Sequence, residues 1–503
     1  MSLDARLQKS QTNQNWDGQS KGLDRTKLRL LLWIISCFLL LTGWSNPPKF
    51  QPHSRPLPVL QSSETPVPAP STFQRAYFIS NIQELDATGV ITTADGGFLI
   101  TGIAGNPITR SDVYAIKIDA SGSVQWSLIY DGDRYDNGAK PVQLPNGGFL
   151  LAGSTCCRLG ADVAYLIKIN DSGTVEWGKT YRSPVNGESI RIHRVALASD
   201  GNLLLVGRIG TFTSWKMFGA KILPDGTIGW ARSYDVLGTA DYVYDLAPTP
   251  DGGALLVGEL YQLGQALAFK IDGNGNVEWA KTHETNNRWV WSAKTTARLS
   301  DGDFILSGYV RDEQMGGIGV WVARINDIGE IEWAEYGIPL YEGASQIVLL
   351  SDNNLLLTGT SWIGDFRDMG AVKMTPNGDV LWARRYGRML DDGANAAAVQ
   401  ADGSFLLAGW SNDPSSDMKQ DLYIVHADAN GSSGCQEAEI TPTINTIDQN
   451  LLITNTVNVQ ATSISLLTDQ LSPSVSAPVT QSSAYCNNAP LQQIYLPLVL
   501  RMP

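Results

Sequence analysis

Short apolar runs recur along the middle of the chain, each opened by a polar turn and closed by glycine. The turns are Asp95-Gly96-Gly97, Asn146-Gly147-Gly148, Asp200-Gly201-Asn202, Asp251-Gly252-Gly253, Asp301-Gly302-Asp303, Asp352-Asn353-Asn354 and Asp402-Gly403-Ser404. Their spacings are 51, 54, 51, 50, 51 and 50 residues. The closing glycines are Gly102, Gly153, Gly207, Gly258, Gly308, Gly359 and Gly409. Asp-Gly and Asn-Gly between apolar runs tolerate positive φ and predict hairpins. A second hairpin follows in each unit, as in Ile167-Lys168-Ile169-Asn170-Asp171-Ser172-Gly173-Thr174-Val175-Glu176-Trp177. No stretch within 73–435 sustains a helical period.

Each unit therefore predicts four short strands, and units of this length with four strands predict propeller blades. A Trp recurs four residues after the second turn's glycine: Trp126, Trp177, Trp230, Trp279, Trp333 and Trp382. Tyr130, Tyr181, Tyr234 and Tyr386 follow four later. The seventh copy has Cys435 where Trp is expected, while Phe73-Gln74-Arg75-Ala76-Tyr77 upstream matches the missing strand. The expected fold is all-β: a seven-bladed β-propeller over 73–435, closed by an N-terminal strand that leaves no open sheet edge. The six repeated Trp residues are expected to be buried structural elements.

These motifs resemble a large group of exported bacterial β-propeller repeat proteins, whose blades carry Asp-Gly-Gly-Phe turns and a later Asp-x-Tyr-x-x-Lys-x-Asp-x-x-Gly-x-x-x-Trp hairpin. Asp162-Val163-Ala164-Tyr165-Leu166-Ile167-Lys168 is one such match. More distantly, the Gly-x-x-x-Trp spacing is similar to the docking motif of quinoprotein propellers, which typically carry eight blades. The resemblance implies a fold and an extracytoplasmic location. It implies no common activity, because propellers host many.

The ends differ from this middle. Residues 1–29 form a basic, cytoplasmic segment with six Lys/Arg against three Asp, and Leu30–Trp44 carries no charge. That layout predicts export through a signal peptide, or retention as a signal anchor in the membrane if uncleaved. Residues 45–72 hold eight Pro, which favour an extended linker. Residues 436–503 are rich in Ser, Thr and Asn with five charges, and predict a small β-rich or disordered tail.

Net charge is −13, which argues against a nucleic-acid partner. Four His and five Cys leave little for a structural metal site, and no cofactor is expected. The acidic stretches Asp131–Gly138 and Asp272–Asn276 lack the ligand spacing of a calcium loop and read as turns. Cys435 and Cys486 are a candidate disulfide in an oxidising compartment; Cys156-Cys157 has no assigned role. The basic position of the third strand (Lys117, Lys168, Lys221, Lys270, Arg324, Lys373, His426) repeats in every copy and reads as structural pairing. Function is expected instead on the variable connections. They carry Trp289, Trp291, Trp362, Trp410, Tyr242 and Tyr244, with Arg367, Asp391 and Asp392. Such a face suits an extracellular protein or glycan. The expectation is a non-catalytic, exported binding module at the cell surface. The alternative is an extracytoplasmic enzyme on the same scaffold, either a glycosidase, which needs two carboxyl groups across a cleft, or a quinoprotein-like oxidoreductase.

Overall fold

In a computed structural model, the described residues are 72–484, without 79–81, 107–109, 132–135, 159–160, 212, 237–240, 286–290, 313–316, 364–365, 388–389, 413–419, 436, 443, 447–451, 471–473 and 477–479. The basic segment, the apolar run 30–44 and nearly all of the Pro-rich linker lie outside them, as do Trp289 and Cys486. The described chain is all-β. β1 (Phe73–Phe78) precedes six antiparallel runs of four. Run 1 is β2 (Glu84–Thr92), β3 (Phe98–Asn106), β4 (Arg110–Ile118) and β5 (Val124–Asp131). Run 2 is β6 (Asp136–Gln143), β7 (Phe149–Arg158), β8 (Ala161–Ile169) and β9 (Val175–Arg182). Run 3 is β10 (Ser189–Leu197), β11 (Leu203–Thr211), β12 (Ser214–Ile222) and β13 (Ile228–Asp235). Run 4 is β14 (Asp241–Pro248), β15 (Ala254–Leu260), β16 (Gln265–Ile271) and β17 (Val277–Thr285). Run 5 is β18 (Trp291–Arg298), β19 (Phe304–Asp312), β20 (Gly317–Ile325) and β21 (Ile331–Ile338). Run 6 is β22 (Tyr341–Leu349), β23 (Leu355–Ile363), β24 (Phe366–Met374) and β25 (Val380–Tyr386). A last run takes β26 (Asp392–Val399), β27 (Phe405–Asn412) and β28 (Gln420–Ala427), and its fourth strand is β1, with Phe73 opposite His426 and Tyr77 opposite Leu422. Hydrogen bonding groups these strands into six sheets, because the last run and run 1 are bridged by a single parallel pair, Glu84 with Gln420.

Hydrophobic cores lie between runs. One holds Phe149 and Leu151 of run 2 with Leu99 and Tyr130 of run 1. Another joins Phe98 and Tyr114 of run 1 to Leu406 and Ile424 of the last run. The repeated Trp and Tyr residues work at these junctions. Tyr130, Tyr181, Tyr234 and Tyr386 each donate a hydroxyl to the carbonyl of a turn glycine in the following run: Gly173, Gly226, Gly275 and Gly431. Trp126 and Trp230 donate the indole N–H to carbonyls of the Gly173 and Gly275 turns, and Trp279 and Trp333 to Asp327 and Pro376 in the equivalent turns of runs 5 and 6. The six repeated indoles are half-buried rather than buried. One face packs on the neighbour's turn and the rest is left at the rim. The strand-three cations pair with their own run, as Lys117 does with Asp95 at 2.8 Å and Lys373 with Asp352 at 2.8 Å.

The tail is more ordered in its pairing than its composition suggests. It forms β29 (Glu437–Glu439), β30 (Asn445–Thr446), β31 (Leu452–Thr456), β32 (Gln460–Ser463), β33 (Leu467–Gln470), β34 (Ser474–Ser476) and β35 (Thr480–Ala484). These add, in that order, to the outer strands β25, β21, β17, β13, β9, β5 and β1. The tail thus visits every run in descending order and finishes on the run from which it departed. Each step supplies hydrogen bonds to an otherwise open edge. Ile440 and Ile444, Val457 and Val459, and Ile464 and Leu466 pack on the cores beneath. Cys435, where the tail begins, is disulfide-bonded.

Two stability predictions follow from this geometry. Gly96 and Gly122 have φ of +80° and +79°, where alanine is strained by about 1–2 kcal/mol. A methyl at Gly96 meets nothing, whereas one at Gly122 would lie 2.7 Å from Phe73 Cζ. Tyr77 also donates to the Gly122 carbonyl at 2.7 Å. Gly122→Ala should therefore destabilise more than Gly96→Ala in urea unfolding, by a further 1–3 kcal/mol or so. Equal losses would mean that β1 does not seat on run 1.

The second concerns His283, which takes the repeated Tyr position in run 4. It is fully buried and reaches the tail at Thr454 Oγ1, 3.2 Å from Nδ1, while Nε2 has no partner. Burial pushes its pKa down to about 4. A folded pKa below the unfolded value contributes stability that is full above the unfolded pKa and is lost as pH falls toward the folded one. Between pH 7 and pH 5 the wild type should lose about 2 kcal/mol more than His283→Gln. Parallel unfolding curves for the two proteins at both pH values would disprove it.

Candidate functional site

The fold repeats, so a site shows as a place where the repeat breaks. In most of the first strands the pairing register slips once, as between Val243 and Asp245, and throws one residue out of the ladder. The closing glycine of the second strand makes this possible. A Cβ on Gly258 would stand 1.8 Å from the Tyr242 carbonyl. The displaced position, seven before the turn, holds Thr88, Ala139, His193, Tyr244, Lys294, Ser345 and Asn395. The position just after the closing glycine holds Ile103, Ser154, Arg208, Glu259, Tyr309, Thr360 and Trp410. Only runs 3 to 5 fill both with ionisable or phenolic groups.

These side chains form one cluster. Glu259 is buried and accepts the Tyr244 hydroxyl at 2.6 Å and the Tyr309 hydroxyl at 3.3 Å. Lys294 Nζ stands 3.4 Å from the centre of the Tyr244 ring, 5.1 Å from that of Tyr309 and 4.0 Å from Glu259 Oε2. The Tyr244 ring stacks with His193 at 5.9 Å and with Tyr242 at 6.0 Å. Tyr242 meets the exposed Tyr261 edge-on at 5.8 Å. Arg208 lies over Trp215 at 4.3 Å and Tyr242 at 5.4 Å. The cluster sits where the first strands begin and the second strands end, on the side that carries the variable connections.

Its titration is shifted. Burial pushes Lys294 down to about 8, with Glu259 opposing. Burial pushes His193 down to about 4, helped by Arg208, Arg191 and Lys294. A carbonyl only accepts, so His193 donates from Nδ1 to Val243 O at 2.6 Å and keeps a lone pair on Nε2. Burial, then Glu259, holds the Tyr244 hydroxyl well above its ordinary range, so it serves as a donor. At neutral pH the cluster thus offers an uncharged imidazole and an amine close to its midpoint, as proton-transfer chemistry requires.

A polar girdle ties the first strands to neighbouring runs. Asn395 donates to Asp86 at 2.8 Å, Lys140 to Thr88 O, and Ile192 N to Ser154 at 2.7 Å. Arg194 pairs with Asp245 at 3.0 Å, which accepts from Thr295 at 2.8 Å. Ile347 N donates to Thr295 at 3.2 Å, and Ala397 N to Gln346 at 3.0 Å. Burial lifts Asp86 to about 7 and lowers Lys140 to about 8.

The residues nominated from sequence divide. Tyr242 and Tyr244 belong to the cluster. Trp362, 48% exposed, meets Tyr341 at 4.8 Å with Arg367 5.3 Å above its ring, and Asp391 accepts the Arg367 backbone N–H at 2.9 Å. These form a second aromatic group on run 6. Trp410 is half-buried, and Asp392, expected on the binding face, is fully buried at the start of β26, opposite Ser411. Trp291 heads β18, and Trp289 is outside the described residues. Arg208, Glu259, Lys294, Tyr309 and His193 were missed. Aligning the copies and asking which positions vary in charge would have found them.

Among the described residues no group of three metal-ligating side chains occurs, and no helix is long and apolar enough to cross a membrane. No family model matches the chain, and no curated protein does. Solved structures similar to it include the polysaccharide lyase Uly1, at 11% identity and a TM-score of 0.47 over 70% of this chain and 92% of that one. A Dyadobacter fermentans protein of unknown function is similar at 14% identity and 0.40, over 71% and 99%. The α-L-arabinofuranosidase Arb93A of Fusarium graminearum is similar at 11% and 0.35, over 71% and 97%. At these TM-scores none of the likenesses transfers an activity to this chain.

The cluster makes one direct prediction. If Glu259 is the main group supporting the Lys294 cation, Glu259→Gln should lower the lysine's pKa below about 8, read from pH-dependent amine labelling. A value near that of free lysine, or one unmoved by the substitution, would refute the assigned environment.

Proposed function

We propose that this protein is an exported, seven-bladed β-propeller over residues 73–435, closed by β1, that takes a glycan at the cluster on blades 3 to 5 and acts on it chemically. The observation that carries this reading is the break in repeat symmetry. One sector alone replaces small or neutral residues with Arg208, His193, Tyr244, Glu259, Lys294 and Tyr309, beside the half-buried Tyr242 and the exposed Tyr261, with the buried Trp215 against Arg208. Aromatic faces stack on sugar rings, and perturbed titratable groups gathered in one place mark a candidate active site. The blade count is supported by β1 completing the last run and by the core shared between the last run and run 1.

Hydrolysis by a carboxylate pair is poorly served here. Glu259 is buried under two tyrosines, and Asp162 is bound by Arg191. Proton transfer falls to Lys294, with the neutral His193 beside it. The alternative is a non-catalytic module that displays the same aromatic surface, with the Trp362 and Arg367 group as a further contact for protein or glycan. Residues 30–44 would bring the protein through or to the membrane, 45–72 would space it from the surface, and a Cys435–Cys486 bridge would fasten the tail.

The test is a panel of polysaccharides, read for binding and for chain cleavage. Tyr242→Ala should weaken binding, whereas Lys294→Met should abolish cleavage and leave binding within a few-fold. Binding with no cleavage of any polymer would favour the display module. Tyr242→Ala binding as the wild type does would place the site elsewhere.

A further inference from the structure

Three cations beside the cluster, Arg191, Arg194 and Lys294, already have a carboxylate. Arg191 pairs with Asp162, Arg194 with Asp245 at 3.0 Å, and Lys294 faces Glu259 at 4.0 Å. Arg208 makes no ion pair among the described residues, and Asp162, the carboxylate that attracts it, is already bound by Arg191. Its guanidinium lies against the ring faces of Trp215 and Tyr242, and its buried Nε has no hydrogen-bond partner. A half-buried cation left without an anion is costly, and a buried donor left unmade adds to the cost. The chain has 50 acidic residues and a net charge of −13, so an acid to place there was not scarce. The two rings hold the guanidinium beside Tyr242.

We infer that the glycan taken by this site carries a carboxylate, and that Arg208 receives it while Tyr242 carries the sugar ring. This rests on the glycan reading above and narrows it to acidic sugars. A planar fork of donors matches a carboxylate's two oxygens, which a lysine's point charge does not. A sulfate ester also offers oxygen pairs to the fork, so the experiment sets the two anions against each other.

The probes are polygalacturonate, alginate and hyaluronan, the esterified forms of the first two, and a sulfated neutral galactan. Binding is measured to the folded protein at fixed ionic strength. The wild type should bind at least one acidic polymer about tenfold or more tightly than its ester or than the sulfated galactan. Arg208→Gln should remove that preference with thermal unfolding unchanged, and Arg208→Lys, which keeps the charge, should restore only part of it. Equal binding of acid and ester, or a preference that survives Arg208→Gln, would overturn the inference. So would tighter binding of the sulfated galactan. Equal binding of acid and ester that is lost in Tyr242→Ala would leave the glycan reading standing while this inference fails. No binding of any polymer would overturn both.

Discussion

The structure depends on one contact, the seating of a turn glycine of one run between the indole and the phenol of the run before. Trp126 and Tyr130 do this to the turn of Gly173, and Trp230 and Tyr234 to that of Gly275. The contact is directional, because the hydroxyl must reach a carbonyl that only a left-handed turn presents. It also leaves no room for a side chain: a Cβ on Gly173 would come within 3.0 Å of the Trp126 ring, and one on Gly275 within 2.9 Å of the Trp230 ring. Apolar cores between sheets tolerate sliding, since dispersion and burial are nearly non-directional. The clamp fixes the angular step from one run to the next. Phe73 and Tyr77 extend it to Gly122, so the first strand of the domain sets the last step.

This contact was legible in the sequence because its parts lie at fixed spacings. The Gly-x-x-x-Trp-x-x-x-Tyr pattern and the Asp-Gly turns give both the strands and the split closing run. The burial of the indoles was overestimated, since a repeat shows that a ring is needed but not how much of it faces water. The circuit of the tail was not legible at all. Edge pairing is made by backbone groups, which any sequence supplies. The sparse apolar pairs Val457 and Val459, and Ile464 and Leu466, are too few to show a period. Only the outer edges of the runs, all open in the same direction, say where a polar strand should go.

The candidate site was half legible. Tyr242 and Tyr244 stood out as aromatics in variable connections, and the search then followed tryptophan. Chemistry instead settled on positions that the repeat holds constant in backbone and frees in side chain. The closing glycine and the register slip are structural, so every run has them. What occupies the slip is not needed for folding, as the contrast of Ala139 with Lys294 shows. Symmetry in the scaffold thus makes asymmetry in the site readable, and a comparison of copies is more informative there than any motif.

The site also needs the girdle beneath it. Lys294 can sit close to its titration midpoint only if its surroundings neither flood it with water nor collapse onto it. The Arg194–Asp245–Thr295 links, continued by Ile347 and by Asn395 with Asp86, tie the first strands to one another at the depth where the displaced residues emerge. Such buried polar chains contribute little net stability, because desolvation offsets the attraction. Their effect is positional: each link fixes where a neighbouring strand slips, and so where His193, Tyr244 and Lys294 project. Preorganised groups of this kind need not reorder when charge develops beside them. The indole and phenol clamps, the tail over the edges and the girdle along the first strands therefore act on one quantity, the relative placement of side chains contributed by three different runs.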